Sequence, residues 1–158
     1  MSETGTAAAA ELVDTDVSWL GGVVAGLAGG TAMAALMVVM NPAPLEMAIP
    51  SLYGLAPPAS GAAGVFVHLS HGAVLGVLFA GLVDAADIVD SRPKLLGAGL
   101  AWGVLIWVVL AALVMPVWLS AVGSPAQPPL PNFALPSLLS HAVYGLVLAA
   151  VLPAVAEL

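Results

Sequence analysis

Charge is what this sequence has least of. Lys and Arg together number two, Asp and Glu nine, and charged residues occupy 7% of 158 positions, against about 25% in a soluble domain. A water-facing surface of ordinary size is therefore excluded. With 61% apolar residues, no stretch remains for an independent soluble kinase, hydrolase or nucleotide-binding module. Cysteine is absent, which excludes disulfides, iron–sulfur clusters, thiolate zinc sites and covalent c-type haem attachment. Basic residues are nearly absent and the net charge is −7, which argues against nucleic acid and anionic lipid headgroups as partners. There is no H-E-x-x-H motif and no glycine-rich phosphate loop ending in Lys-Ser/Thr. The serines next to histidines, Ser70-His71 and Ser140-His141, have no buried carboxylate to orient an imidazole. The sequence therefore offers no catalytic residue and reads as non-enzymatic.

What the chain has instead is four long apolar runs, 17–40, 61–83, 95–119 and 133–156, none containing Asp, Glu, Lys or Arg. Each matches the roughly 20 residues a helix needs to cross the hydrocarbon core of a bilayer. The expected fold is all-α: an integral membrane four-helix bundle in a single domain, 17–158, with the lipid bilayer as its first partner. Residues 1–16 carry Glu3, Glu11, Asp14 and Asp16 and read as a disordered acidic tail. They lack the basic start of a cleaved signal peptide, so the first run reads as a retained signal-anchor. Both basic residues, Arg92 and Lys94, fall between the second and third runs. The positive-inside rule then places that connection and both termini in the cytoplasm of a multi-pass cell-membrane protein, with the other two connections outside.

The two halves of the chain resemble one another. Gly26-Leu-Ala-Gly-Gly30 corresponds to Gly99-Leu-Ala-Trp-Gly103, and a proline follows the first glycine by 16 residues in one half (Pro42) and 17 in the other (Pro116). Histidines follow those prolines by 26 and 25 residues and open matching patterns, His68-x-x-x-Gly72 and His141-x-x-x-Gly145. Two tandem helical hairpins are expected, related by a pseudo-two-fold axis along the membrane normal. Eleven of the 13 prolines sit in or beside the two outward connections, which makes these connections stiff. The first of them carries Glu46 and reads as a short interfacial helix or cap.

Residues four apart share a helix face. The stripes Gly22/Gly26/Gly30, Gly64/His68/Gly72/Gly76, Gly99/Gly103 and Ser137/His141/Gly145 are small-residue seams that let helices approach closely in lipid. His68 and His141 lie in the outer parts of their spans, with His71 one turn deeper. An ionisable ring inside a span is a functional hypothesis, and three readings stand. The imidazoles specify packing through hydrogen bonds to Ser70, Ser137, Ser140, Tyr144 or backbone carbonyls. Alternatively, His68, His71 and His141 bind haem b or a metal. In the third reading they relay protons, with Glu46 as an outer carboxylate. Met33, Met37 and Met40 fall on one side of the first span; methionine there is core filler, or with the histidines a copper site.

Around Pro50-Ser-Leu-Tyr-Gly54, His68-Leu-Ser-His-Gly72 and Pro136-Ser-Leu-Leu-Ser-His141-Ala-Val-Tyr-Gly145, the chain resembles small multi-span proteins of halophilic archaea with no assigned activity. That resemblance implies a four-span membrane fold and carries no active-site residues. The expected role is an accessory or scaffolding membrane subunit without a cofactor, partnered by another membrane protein or by itself. The alternatives are a haem- or metal-binding protein and a minimal oligomeric transporter.

Overall fold

A computed structural model of the chain describes residues 17–158, so the acidic tail 1–16 lies outside the described residues. Among the described residues, four helices are long and apolar enough to cross a membrane: α1 (Trp19–Met40), α3 (Gly61–Ala85), α4 (Arg92–Ala121) and α5 (Leu135–Val155). A short segment, α2 (44–51), lies between α1 and α3 and begins with a π-wound turn. The described residues contain no strand.

Local chemistry sets the helix ends. The Ser18 hydroxyl accepts a hydrogen bond from the Gly21 amide at 2.9 Å, and Ser60 caps α3 through the Ala63 amide at 3.3 Å. α1 stops at Asn41, whose backbone is extended because a residue before proline is driven out of the helical region. α4 begins three residues earlier than its apolar run, at Arg92, since Pro93 is well tolerated in a first turn. Arg92 and Lys94 therefore belong to the helix rather than to the connection before it. The Ser18 amide donates to the Ala156 carbonyl at 2.8 Å, so the start of α1 and the end of α5 meet at one end of the bundle. The proline-rich connections, 41–60 and 122–134, lie at the other.

Pro116 does not end its helix as Pro42 does. α4 continues to Ala121, and the stretch Trp107–Val114 just before the proline is π-wound. Proline has no amide hydrogen, so the carbonyl four residues earlier, that of Ala112, loses its helical partner. The Asn132 amide takes its place at 2.9 Å. In a low-dielectric setting an orphaned carbonyl costs several kcal/mol, and this bond folds the 122–134 connection back onto α4.

α1 is the central helix, flanked by α3 and α5, and α4 packs on the other side of α5. The glycines explain the closeness. A Cβ on Gly26 would meet the Gly72 carbonyl and Gly76 Cα, and one on Gly22 would meet Val77 Cα, so this face of α1 lies against α3. Gly21 abuts the Val155 carbonyl and Gly29 abuts Tyr144, which brings the adjacent face against α5. On the far side, Gly99 meets Gly145, and Gly103 meets the backbone of His141 and Ala142. Gly30 faces Leu69, whereas Gly64 faces the Leu45 backbone of α2 rather than a spanning helix. A perfect two-fold axis would make the α1–α5 and α3–α4 contacts alike, yet α3 barely touches α4. The bundle is open on that side.

Candidate functional site

The open side becomes a cleft at the proline-rich end. Near the opposite end α3 and α4 are bridged by Phe79 and Trp102, with ring centroids 6.2 Å apart. In the other half, the small residues of α1 give way to Met33, Met37 and Met40, and α4 passes into its π-wound stretch. A cavity of about 1100 Å³ opens there, at the upper end of small-molecule sites, which run to about 1,000 Å³. Val74 of α3 and Leu110 and Val114 of α4 both line it and remain exposed on the outside of the bundle, so it opens sideways between these helices. α2 and the 122–134 connection form its roof. The Trp118 indole N–H ties α4 to that roof by donating to the Leu52 carbonyl at 3.0 Å.

All three histidines line this one cavity, together with Ser137, Tyr144 and the three methionines of α1. Each ring has a defined partner. His68 Nε2 lies 3.1 Å from the Gly30 carbonyl, across the α1–α3 seam. His141 Nδ1 lies 2.7 Å from the Ser137 carbonyl one turn earlier and 3.5 Å from the Ser137 hydroxyl. His71 Nε2 pairs with the Tyr53 hydroxyl at 2.7 Å. Tyr144, buried beside Gly29, donates to the Gly72 carbonyl at 2.8 Å. Ser140 donates to the Pro136 carbonyl of its own helix at 3.0 Å. Glu46 is exposed on α2 and does not line the cavity, so among the described residues no carboxylate faces the imidazoles.

Two of these bonds fix tautomers. A carbonyl oxygen only accepts, so His68 carries its proton on Nε2 and His141 on Nδ1. In the neutral rings the remaining nitrogens, His68 Nδ1 and His141 Nε2, are bare lone pairs. No carboxylate among the described residues balances an imidazolium in the cleft, and an isolated charge in an apolar medium is very costly. Among the described residues, no three His, Cys, Asp or Glu side chains form a group that could hold a metal ion. Thioethers and imidazoles do share the cavity, which is soft-metal chemistry of the Cu(I) kind.

Several residues of this site escape a reading of periodicity. Tyr53 and Asn132 sit in irregular segments, where no helical spacing points to a partner. Trp118 reads as an interfacial aromatic, although its N–H holds the roof. Gly29 does leave a signal, in the doublets Gly21-Gly22 and Gly29-Gly30, which give one helix two adjacent small faces.

No curated protein and no solved structure matches the chain. Over residues 17–157, which take in all four long helices and the whole cleft, it matches a family of unknown function, DUF6789, and the chain belongs to that family.

Proposed function

We propose that this protein binds rather than catalyses: it is a small multi-pass membrane protein, an accessory subunit that holds a lipophilic molecule in the lateral cleft between α3 and α4. One observation carries the proposal. Glycine seams close α1 on α3, α1 on α5 and α4 on α5, whereas α3 and α4 part at that cleft, and all three histidines of the chain, with Tyr144, Ser137 and Ser140, line it. Intramembrane polar groups are costly unless used, and a side opening gives entry from lipid. Two tandem hairpins in one orientation form the frame, supported by the like contacts of Gly26 with Gly72 and of Gly99 with Gly145. Protein purified from its native membrane should carry about one equivalent of an organic-extractable compound. Preparations that are repeatedly empty would remove the proposal.

A haem or copper centre is the second reading, and His141 favours it. Its Nδ1–H is held by a backbone carbonyl while Nε2 is left free, the usual support for a metal-bound imidazole. His68 fits less well, because its Nε2 is taken by Gly30. Among the described residues no Lys or Arg lines the cleft to meet haem carboxylates. A Soret band, or stoichiometric copper lost in His141→Ala, would establish this reading. A colourless, metal-free preparation would remove it.

Both termini are assigned to the cytoplasm and the roof to the outside. The cysteine-free chain makes this easy to test. Ala59→Cys should react with an impermeant maleimide in intact cells, and Asp90→Cys only after permeabilisation. The reverse pattern would invert the topology.

A further inference from the structure

The cleft is polar well below its rim, yet it carries no fixed charge. Among the described residues, no Asp, Glu, Lys or Arg lines it. Its polar groups are of both hydrogen-bonding kinds. The Ser137 hydroxyl stands 3.5 Å from His141 Nδ1, whose hydrogen goes to the Ser137 carbonyl, so that hydroxyl is free to donate. Whichever of Tyr53 and His71 donates in their 2.7 Å bond, one hydrogen of the pair is left over. The bare imidazole nitrogens accept. These groups also lie deep. His68 is seven residues into α3 and His141 six into α5, or about 10 and 9 Å at 1.5 Å per residue. α2 and the 122–134 connection cover them from the roof side, so the approach from lipid is sideways, between α3 and α4.

We propose that the cleft takes an uncharged lipid, one whose polar end is a hydroxyl or carbonyl with no phosphate, sulfate or ammonium, and that the polar end enters first. The inference rests on the cleft being a ligand site and adds the class of lipid. A phospholipid keeps its headgroup outside the hydrocarbon core. To reach the imidazoles that headgroup would have to descend about 10 Å and shed its hydration, with no opposite fixed charge to receive it. A charged lipid that left its head at the surface and inserted only its tail would bring no partner to the histidines and Ser137. An uncharged hydroxyl or carbonyl loses far less on leaving water, and the hydrogen bonds open to it in the cleft offset that loss. Donors and acceptors are both present, so charge rather than hydrogen-bond polarity is what the cleft selects. The tail leaves through the side opening, past the exposed Val74, Leu110 and Val114. The lipid favoured is thus of the kind that already sinks below the headgroups, on the roof side of the bilayer.

The test uses the full chain in phosphatidylcholine nanodiscs and three probes with one tail: oleyl alcohol, oleyl sulfate and oleyltrimethylammonium. Each carries a photoreactive diazirine close to its polar end and is added at the same mole fraction. After irradiation, mass spectrometry of peptide fragments locates the labelled residues. Label on His68, Ser137 and His141 reports the cleft. Label on Phe66 and Leu139, exposed on the same two helices at similar depth, corrects for how far each probe sinks into the bilayer. After that correction the alcohol is expected to label the cleft at least about tenfold more than either charged probe. Met37→Trp should remove the cleft label and leave that on Phe66. The comparison of probes is made on unaltered protein, so a variant that fails to fold leaves the test intact. Equal cleft labelling by the three probes, or a preference for either charged one, overturns the inference while leaving the cleft as a ligand site. Label on Phe66 and Leu139 with none in the cleft from any probe overturns both.

Discussion

Gly26→Val is expected to prevent the bundle from assembling. A Cβ at this position would run into the Gly72 carbonyl and the Cα of Gly76, both of them backbone. Overpacking usually costs about 1–3 kcal/mol because side chains can shift. Here the obstacles cannot rotate away, so a loss of about 3 kcal/mol or more is expected, enough to unfold a marginally stable protein. α1 is also the helix that touches both α3 and α5, so moving it disturbs two seams at once. Gly81→Ala and Gly97→Ala provide the comparison, because a Cβ there meets nothing within 4 Å. Those variants should lie within about 1 kcal/mol of the parent, on the stabilising side, since alanine is the better helix former. Thermal unfolding in detergent, followed by circular dichroism, reads all three. A Gly26→Val protein melting with the parent would show that the α1–α3 seam is not closed.

Met37→Trp is expected to do the opposite, leaving the fold intact while removing the site. Met37 is half-buried and faces the cavity of about 1100 Å³. Met37 packs against the core on one side and borders the cavity on the other, so an indole has empty space to extend into, and filling a cavity removes little stability or adds some. The expected result is an unchanged or raised melting temperature and at least a tenfold fall in co-purifying lipophilic compound. Unchanged ligand content would mean that the compound resides elsewhere on the protein.

The spans were legible because charge alone delimits them. The run 17–40 became a helix at Trp19–Met40, and 61–83 became Gly61–Ala85. The run 95–119 lengthened at both ends to Arg92–Ala121, as Pro93 starts a helix readily and Pro116 fails to stop one. That failure could not be read locally. It depends on Asn132 supplying an amide to the Ala112 carbonyl from a connection 20 residues further on. The small-residue stripes identified the seams, but not which helices they join. Gly22/Gly26/Gly30 alone implies one neighbour for α1, and only its combination with Gly21, Ala25 and Gly29 implies two. The cleft follows from this arrangement, since placing α1 between α3 and α5 leaves α4 without α3 beside it. The histidines stand out in the sequence as polar rings in apolar helices. Their tautomers needed the positions of Gly30 and Ser137, and the partner of His71 was a tyrosine in the short outer segment.

The side opening between α3 and α4 is tested most directly by cysteine pairs in lipid. Val74→Cys and Leu110→Cys line the cavity from its two walls in a chain with no other cysteine. A disulfide forms only when Cα atoms approach to within about 7 Å. In liposomes, mild oxidation is expected to leave this pair unlinked, while a bifunctional maleimide long enough to cross the gap joins it. Rapid, complete disulfide formation would mean that the two helices close on each other in the bilayer and that there is no cleft.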